Sequence, residues 1–243
     1  MVLSIVRTTA PSPCAAPLGY TDGQLESLKW IALASMFLDH FGRHLLGYAQ
    51  DTWVFALGRI AFPLFAFVLA LNLAREGDRA VRSARTARRL GVWCAVAVLP
   101  SIWARGDPTV VNVLGTLGLG AALCWTFATP ARPAVRVAVC IAVAVVSIHV
   151  EFGLAGVFLI PAIHLWVTQR RPETAALAVL LFLMTCWLNM SLDGMPALLG
   201  TLACVPIAWA VRRLPVAVPR IRLAFYLVYP LHLALIGALK TLD

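Results

Sequence analysis

Three side chains that could carry acid–base or electrostatic catalysis lie inside apolar stretches of the sequence. Asp39 and His40 are adjacent in one stretch, and Arg59 lies in the next. A histidine can take a proton at neutral pH. An arginine stays charged in any surroundings and can stabilise a developing oxyanion. Together with a carboxylate, these groups are enough for acyl transfer by direct attack.

The composition indicates which elements hold these residues. Of 243 residues, 61% are in the AVILMFWYC set and 13% are charged, and the mean hydropathy is +0.85. An average soluble domain is about half apolar and a quarter charged. The numbers exclude a disordered chain, a collagen and a disulfide-rich scaffold. The formal charge is +9, but the arginines cluster between apolar runs, which indicates membrane topology and no nucleic-acid partner.

Apolar runs predict an all-α, polytopic membrane bundle with about nine transmembrane helices. A span needs around 20 residues, or fewer where neighbouring helices shelter its ends. Several runs are short, so eight or ten spans are alternatives. The runs are Leu28–Leu46, Trp53–Leu73, Leu90–Trp103, Val110–Phe127, Val135–Ile148, Gly153–Val167, Ala175–Leu192, Ala197–Val211 and Leu223–Leu239.

Basic residues predict the orientation of the chain. Six arginines between Arg75 and Arg89 follow the second run, and positive loops face the cytoplasm. Alternation from there also puts most other basic residues inside, including Arg7, Arg220 and Arg222. We therefore expect a cytoplasmic N-terminus and an outer C-terminus. Residues 1–22 contain no signal-peptide core and are predicted to be a flexible cytoplasmic tail, followed by a single transmembrane domain over 23–243.

Helix geometry puts the polar groups at one depth. At about 1.5 Å per residue, His40 lies ~18 Å above the inner boundary of a ~30 Å core, which is ~12 Å below the outer boundary. Arg59 lies ~9 Å below that outer boundary. Asn112 and Glu151 fall slightly above that level. This predicts an outer-half cavity lined by Asp39, His40, Arg59, Asn112 and Glu151.

Structural alternatives exist for each of these groups. Asp39 and Arg43 are spaced to neutralise one another, and Arg59 could instead be the counter-ion of Asp39. His40 and His44 share the same spacing, but no third ligand is placed to complete a metal site. The lone histidines, His164 and His232, suit hydrogen-bonded structural roles, and the cysteines inside apolar runs suit packing at helix interfaces. Those cysteines show no zinc-site spacing and are Cys94, Cys124, Cys140, Cys186 and Cys204.

Two sequence blocks carry a family resemblance. The first is Leu28-Lys29-Trp30-Ile31-Ala32-Leu33 leading to Phe37-Leu38-Asp39-His40, and the second is Gly58-Arg59-Ile60-Ala61-Phe62-Pro63-Leu64-Phe65. They resemble the TraX family of conjugative pilin acetylases. Weaker matches extend the resemblance to about Lys240. They are Asn112-Val113-Leu114, Glu151-Phe152-Gly153-Leu154-Ala155-Gly156 and Tyr226 with Tyr229-Pro230-Leu231-His232-Leu233.

The resemblance implies a multi-pass protein of the bacterial inner membrane that acetylates the N-terminus of a conjugative pilin precursor. Acetyl-CoA would be the donor, membrane lipids would surround the bundle, and no metal is expected. Asp39, His40 and Arg59 become the catalytic candidates. The later blocks supply candidates for substrate binding. The arginine cluster could attract the phosphates of the donor. Membrane topology alone also explains that cluster. These candidates are Asn112, Glu151, Tyr229 and His232 for the substrate, and Arg82, Arg85, Arg88 and Arg89 for the donor.

Other classes of function remain open at this level. A proton-coupled transporter would also bury Asp, His and Arg, although the sequence shows no repeat pattern. A non-catalytic factor for pilin maturation or assembly would need only helix interfaces. A membrane acyltransferase could also act on a glycan or a lipid.

Overall fold

The computed structural model describes residues 16–48, 52–216, 218–219, 221 and 224–242. Within these ranges the fold is all-α, as predicted, and its only extended pairing is one isolated bridge. The helices are α1 (Asp22–His44), α2 (Trp53–Gly58), α3 (Ala61–Leu73), α4 (Arg79–Arg105), α5 (Val113–Ala128), α6 (Pro133–Ser147), α7 (Gly153–Gln169), α8 (Pro172–Arg213) and α9 (Ala224–Lys240). Of the predicted features, Arg7, Arg220, Arg222 and Leu223 lie outside the described residues, as does most of the predicted tail.

The end of that tail packs against the bundle. Ala16 and Tyr20 are buried, and the Tyr20 hydroxyl donates a hydrogen bond to the Ala208 carbonyl at 2.9 Å. Thr21 then caps α1 and exchanges hydrogen bonds with Gln24 in a capping box. Ordered packing therefore begins before residue 23.

The arginine cluster is helical for most of its length, so the prediction of an arginine-rich loop from Arg75 to Arg89 is wrong. Helix α4 begins at Arg79, where the Asp78 side chain accepts a hydrogen bond from the Val81 amide at 2.9 Å. Alanine and arginine are both strong helix formers, and this composition extends the helix well before its apolar part.

Helix α8 is a hairpin of two antiparallel halves. Asn189 donates a hydrogen bond to Thr201 Oγ1 at 2.8 Å, although residues twelve apart in a straight helix lie ~18 Å from each other. The chain reverses at Gly194, whose φ of 80° lies in the left-handed region that glycine tolerates. The seventh and eighth predicted runs are thus the two halves of α8.

The second half of α8 lies directly against α2. A Cβ on Gly200 would overlap the Ala56 main-chain carbonyl, which cannot rotate away. Small residues allow this approach of helix backbones.

We expect Gly200→Ala to destabilise the fold by about 1–3 kcal/mol, because the added methyl group separates the two helices. The midpoint of thermal unfolding in detergent, followed by tryptophan fluorescence, measures the loss. Gly91→Ala is the matched control, since a Cβ on Gly91 meets nothing within 4 Å. That substitution should be neutral or stabilising, as for other helical glycines. Equal midpoints for the two variants would contradict a close approach at Gly200.

Helix α3 is the centre of the bundle. It is apolar on all sides, and Leu64, Ala66, Ala70 and Leu71 are at most 1% exposed. Helices α1, α5, α7 and α8 surround it. A helix that is hydrophobic all round belongs in such a position.

Large apolar side chains also cover the outside of the bundle. On α6, Val137, Ile141 and Val145 are 57–61% exposed, and Trp187 on α8 is 66% exposed. Two helical segments, Trp53–Leu73 and Pro172–Arg213, are long and apolar enough to cross a membrane, with mean hydropathies of 2.2 and 2.0. The count of nine spans stays a prediction.

Candidate active site

A cavity of about 730 Å³, here called the histidine cavity, opens at one end of the bundle. It lies between the end of α1, the α2–α3 junction, the α4–α5 and α6–α7 connections, and the first half of α8. The polar and charged residues that line it are Asp39, His40, Arg43, His44, Arg59, Arg105, Asp107, Glu151, Asn189 and Asp193. Four of the five residues predicted to share an outer-half cavity therefore do so. Asn112 does not line it.

Arg59 lies between two carboxylates in this cavity. It donates a hydrogen bond to Asp39 at 2.8 Å, and its other terminal nitrogen lies 3.6 Å from Asp193. All three side chains are nearly buried. The counter-ion of Asp39 is thus Arg59, as one alternative predicted. Arg43 forms no ion pair among the described residues and lies over the Phe55 ring, at 5.5 Å from its centroid.

Local backbone features fix the position of the Arg59 guanidinium. The helix breaks between α2 and α3 at Arg59 and Ile60, and the guanidinium packs over the Phe55 ring at 4.2 Å from its centroid. Gly58 touches Asp39 so closely that any Cβ there would overlap the carboxylate side chain. One oxygen of Asp39 and the Arg59 Nε are buried without a partner among the described residues.

His40 is paired with His232 of α9. The His40 Nδ1 and His232 Nε2 atoms are 2.7 Å apart, and the planes of the two rings differ by 11°. The second ring nitrogen of His232 lies 3.0 Å from the Val228 carbonyl oxygen. Phe37 packs edge-on against His232. The predicted hydrogen-bonded role of His232 is confirmed.

The same prediction is wrong for His164. This side chain is 4% exposed, and neither ring nitrogen has a hydrogen-bond partner among the described residues. It lies on the face of α7 that packs into the core, where main-chain groups are already paired along their own helices.

Glu151 reaches the cavity from the α6–α7 connection. Its carboxylate accepts a hydrogen bond from Arg105 at 2.5 Å, and its main chain pairs with Val111. Thr116 donates to its carbonyl oxygen. Burial raises the pKa of the Glu151 carboxyl, and the Arg105 guanidinium opposes that rise. Glu151 and Arg105 therefore form a second fixed ion pair on the cavity wall.

Asn112 has a capping geometry. Its side chain accepts a hydrogen bond from the Leu114 amide and donates one to the Cys94 carbonyl, each at 3.1 Å. It begins α5 and joins that helix to α4. Both polar atoms of its side chain are thus engaged away from the cavity.

A second cavity of about 570 Å³, here called the basic cavity, lies toward the opposite end of the bundle. Of the four arginines predicted to attract donor phosphates, Arg82, Arg85 and Arg89 line it and Arg88 does not. Arg82 donates to the carbonyls of Arg75 and Glu76, which fixes the α3–α4 connection. The other cationic and aromatic lining residues are Lys29, Phe65, Arg75, Phe225, Tyr226 and Tyr229.

The two cavities adjoin inside the bundle. Met36, Phe65 and Val113 line both of them. Tyr229, a predicted substrate residue, lines the basic cavity and also packs edge-on against His232. The basic cavity and the histidine cavity therefore have part of one wall in common.

Comparison with known proteins places the chain in a family. The family described as TraX protein matches residues 24–240. The chain belongs to the TraX family. Protein TraX of Escherichia coli is 29% identical over 230 residues, which cover 91% of this chain and 89% of that protein. Protein TraX of Escherichia coli strain K12 is 29% identical over 199 residues, covering 77% of this chain and 75% of that protein. No solved structure matches the chain.

Two charged residues of this TraX site were not predicted from the sequence. Asp193 follows the seventh apolar run directly, in Leu192-Asp193-Gly194. Arg105 lies just beyond the third run, which ends at Trp103. The signal for both is an ionisable residue at the outer end of an apolar run, the feature that identified Glu151.

Proposed function

We propose that this TraX family member is a membrane-embedded acyltransferase that transfers an acetyl group from acetyl-CoA to the N-terminal amine of a conjugative pilin precursor. The observation that carries the proposal is that His40 and Arg59 line the same cavity. One ring nitrogen of His40 has no hydrogen-bond partner among the described residues, so it is available to take a proton. Family membership supports the same class of function.

The proposal places the bundle in the inner membrane with nine spans and a cytoplasmic N-terminus. The exposed apolar side chains of α6 and α8 support a lipid surround. The predicted topology, in which successive spans alternate in direction, is supported by the residues around each cavity. The segments that line the histidine cavity are those that this topology places on the outer side. The basic cavity, in contrast, is lined by the arginines assigned to the cytoplasm.

In this proposal each reactant would occupy one of the two cavities. The phosphates of acetyl-CoA would lie against Arg85 and Arg89, whose guanidinium groups suit phosphate. The thioester arm would pass Met36, Phe65 and Val113. Lys29 and His40, at the two ends of this path, are ~16 Å apart along α1. The acceptor would enter the histidine cavity from its open end.

The transfer step then follows from the residues on the cavity wall. Only the neutral form of an amine, whose pKa is about 7.7–8.0, attacks a carbonyl. The amine nitrogen forms a bond to the thioester carbon while His40 takes the amine proton. Arg59 stabilises the oxyanion of the tetrahedral intermediate. The carbon–sulfur bond then breaks, and the CoA thiolate leaves and takes the proton from His40.

We expect Arg85→Gln to weaken coenzyme A binding roughly 10- to 100-fold, because one charge-assisted hydrogen bond contributes about 1.5–3 kcal/mol. Isothermal titration of the detergent-solubilised protein with coenzyme A measures the dissociation constant. Arg88→Gln is the matched control, since Arg88 is exposed on the same helix and lines neither cavity. Equal weakening by both substitutions would contradict a donor site in the basic cavity.

The intact mass of the pilin tests the proposed function as a whole. The cognate pilin is purified from cells with the wild-type chain, with His40→Ala, and with the gene deleted. An acetyl group present only with the wild type supports the proposal. Identical masses in all three strains reject a stable pilin modification and favour an assembly role or another acceptor.

A further inference from the structure

The contacts between His40 and His232 determine where the protons lie. At 2.7 Å, the two facing nitrogens must share one proton, because two lone pairs would repel each other. The Val228 carbonyl, 3.0 Å from His232 Nδ1, can only accept a hydrogen bond. His232 therefore carries a proton on Nδ1.

A neutral His232 then has a lone pair on Nε2, which fixes the donor in the pair. His40 must therefore donate from Nδ1, and a neutral His40 then carries no proton on Nε2. The opposite arrangement needs a doubly protonated His232. That cation would be 5% exposed beside Phe37 and Tyr229, with no carboxylate partner among the described residues. Burying an unpaired charge is costly, so the neutral arrangement is favoured.

We propose that His232 is a positioning residue, which holds His40 as the Nδ1–H tautomer and leaves His40 Nε2 as the base in the histidine cavity. The inference rests on the proposed function. His232 itself does not line the histidine cavity, and both of its ring nitrogens are engaged. The hydrogen-bond chain runs from His40 through His232 to the Val228 carbonyl and thus has the role that a carboxylate has in many catalytic triads.

This arrangement also assists the proton transfer. When His40 accepts a proton on Nε2, its Nδ1–H bond to His232 becomes charge-assisted and stronger. The hydrogen bond to His232 opposes rotation of the His40 ring, and His40 lines the histidine cavity. His232 contributes to the transfer step without touching a substrate.

Two substitutions separate positioning from packing. His232→Gln supplies an amide oxygen that can accept from His40 Nδ1, whereas His232→Leu fills the space without an acceptor. We expect His232→Leu to lower kcat roughly 10- to 100-fold with KM for both substrates unchanged, as for other residues that orient a reactive side chain. His232→Gln should recover most of that loss. Full activity of the Leu variant, or no recovery in a folded Gln variant, would overturn the inference.

A second readout does not depend on activity. Nitrogen-15 NMR of the histidine-labelled full chain in detergent distinguishes the two tautomers, and His40→Ala identifies the His40 signals by subtraction. We expect only the Nδ1–H tautomer of His40 in the wild type and in His232→Gln, and a mixture in His232→Leu. An Nε2–H tautomer in the wild type overturns the inference whether or not the protein transfers acetyl groups. If NMR shows the Nδ1–H tautomer but the protein transfers no acetyl group, His232 still sets the tautomer of His40. Only the proposed function is then rejected.

Discussion

His40→Ala is expected to lower acetyl transfer roughly 100- to 10,000-fold, because the substitution removes the group that takes the amine proton. Binding of coenzyme A should be unchanged, since His40 lines the histidine cavity and not the basic one. Transfer is measured in proteoliposomes, with purified pilin precursor and radiolabelled acetyl-CoA. The rate at saturating substrate is the quantity to compare.

His149→Ala is the control for this experiment. His149 is exposed near the same end of the bundle and does not line the cavity, so its loss removes an imidazole without removing the base. We expect transfer within a factor of about two of the wild type, as for surface substitutions in general. Transfer by His40→Ala at the rate of His149→Ala would exclude His40 as the base.

The sequence predicted which ionisable residues share a cavity better than it predicted how that cavity is built. Asp39, His40, Arg59 and Glu151 were identified because ionisable residues inside apolar runs are costly and need a reason. Helix rise put them at one depth, since depth depends only on position within a span. The structure brings these four residues into one cavity.

The partners of these residues could not be predicted in the same way. The contact between His40 and His232 joins residues 192 positions apart, and their helices must be neighbours for it to form. Sequence periodicity indicates which face of a helix is polar, but not which helix lies opposite. Asn112 is predicted to lie at the same depth, but its side chain caps α5 and does not line the histidine cavity.

The positions of helix breaks are a second feature that the sequence did not predict. Gly194 allows the chain reversal that positions its charged neighbour, Asp193. A glycine in an apolar run equally indicates close helix packing, as at Gly200. The sequence does not distinguish the two uses, so the position of Asp193 beside Arg59 was not predicted.

Arg59→Gln is expected to have two separate effects. Removing the cation leaves Asp39 and Asp193 buried beside each other, which should cost about 3–5 kcal/mol of stability. Losing the group that stabilises the oxyanion should lower transfer about 100- to 1,000-fold. Arg43→Gln, in the same cavity but without an ion pair among the described residues, should cost much less stability.

A double variant separates these two effects of Arg59. Asp39→Asn combined with Arg59→Gln removes one carboxylate along with the cation, so the thermal midpoint should rise from that of Arg59→Gln toward the wild type. Transfer should not recover, because nothing replaces the guanidinium near the thioester oxygen. Recovery of both stability and transfer would mean that Arg59 only neutralises Asp39, as a structural counter-ion. Recovery of stability alone assigns Arg59 to the transition state, where its charge acts on the oxyanion.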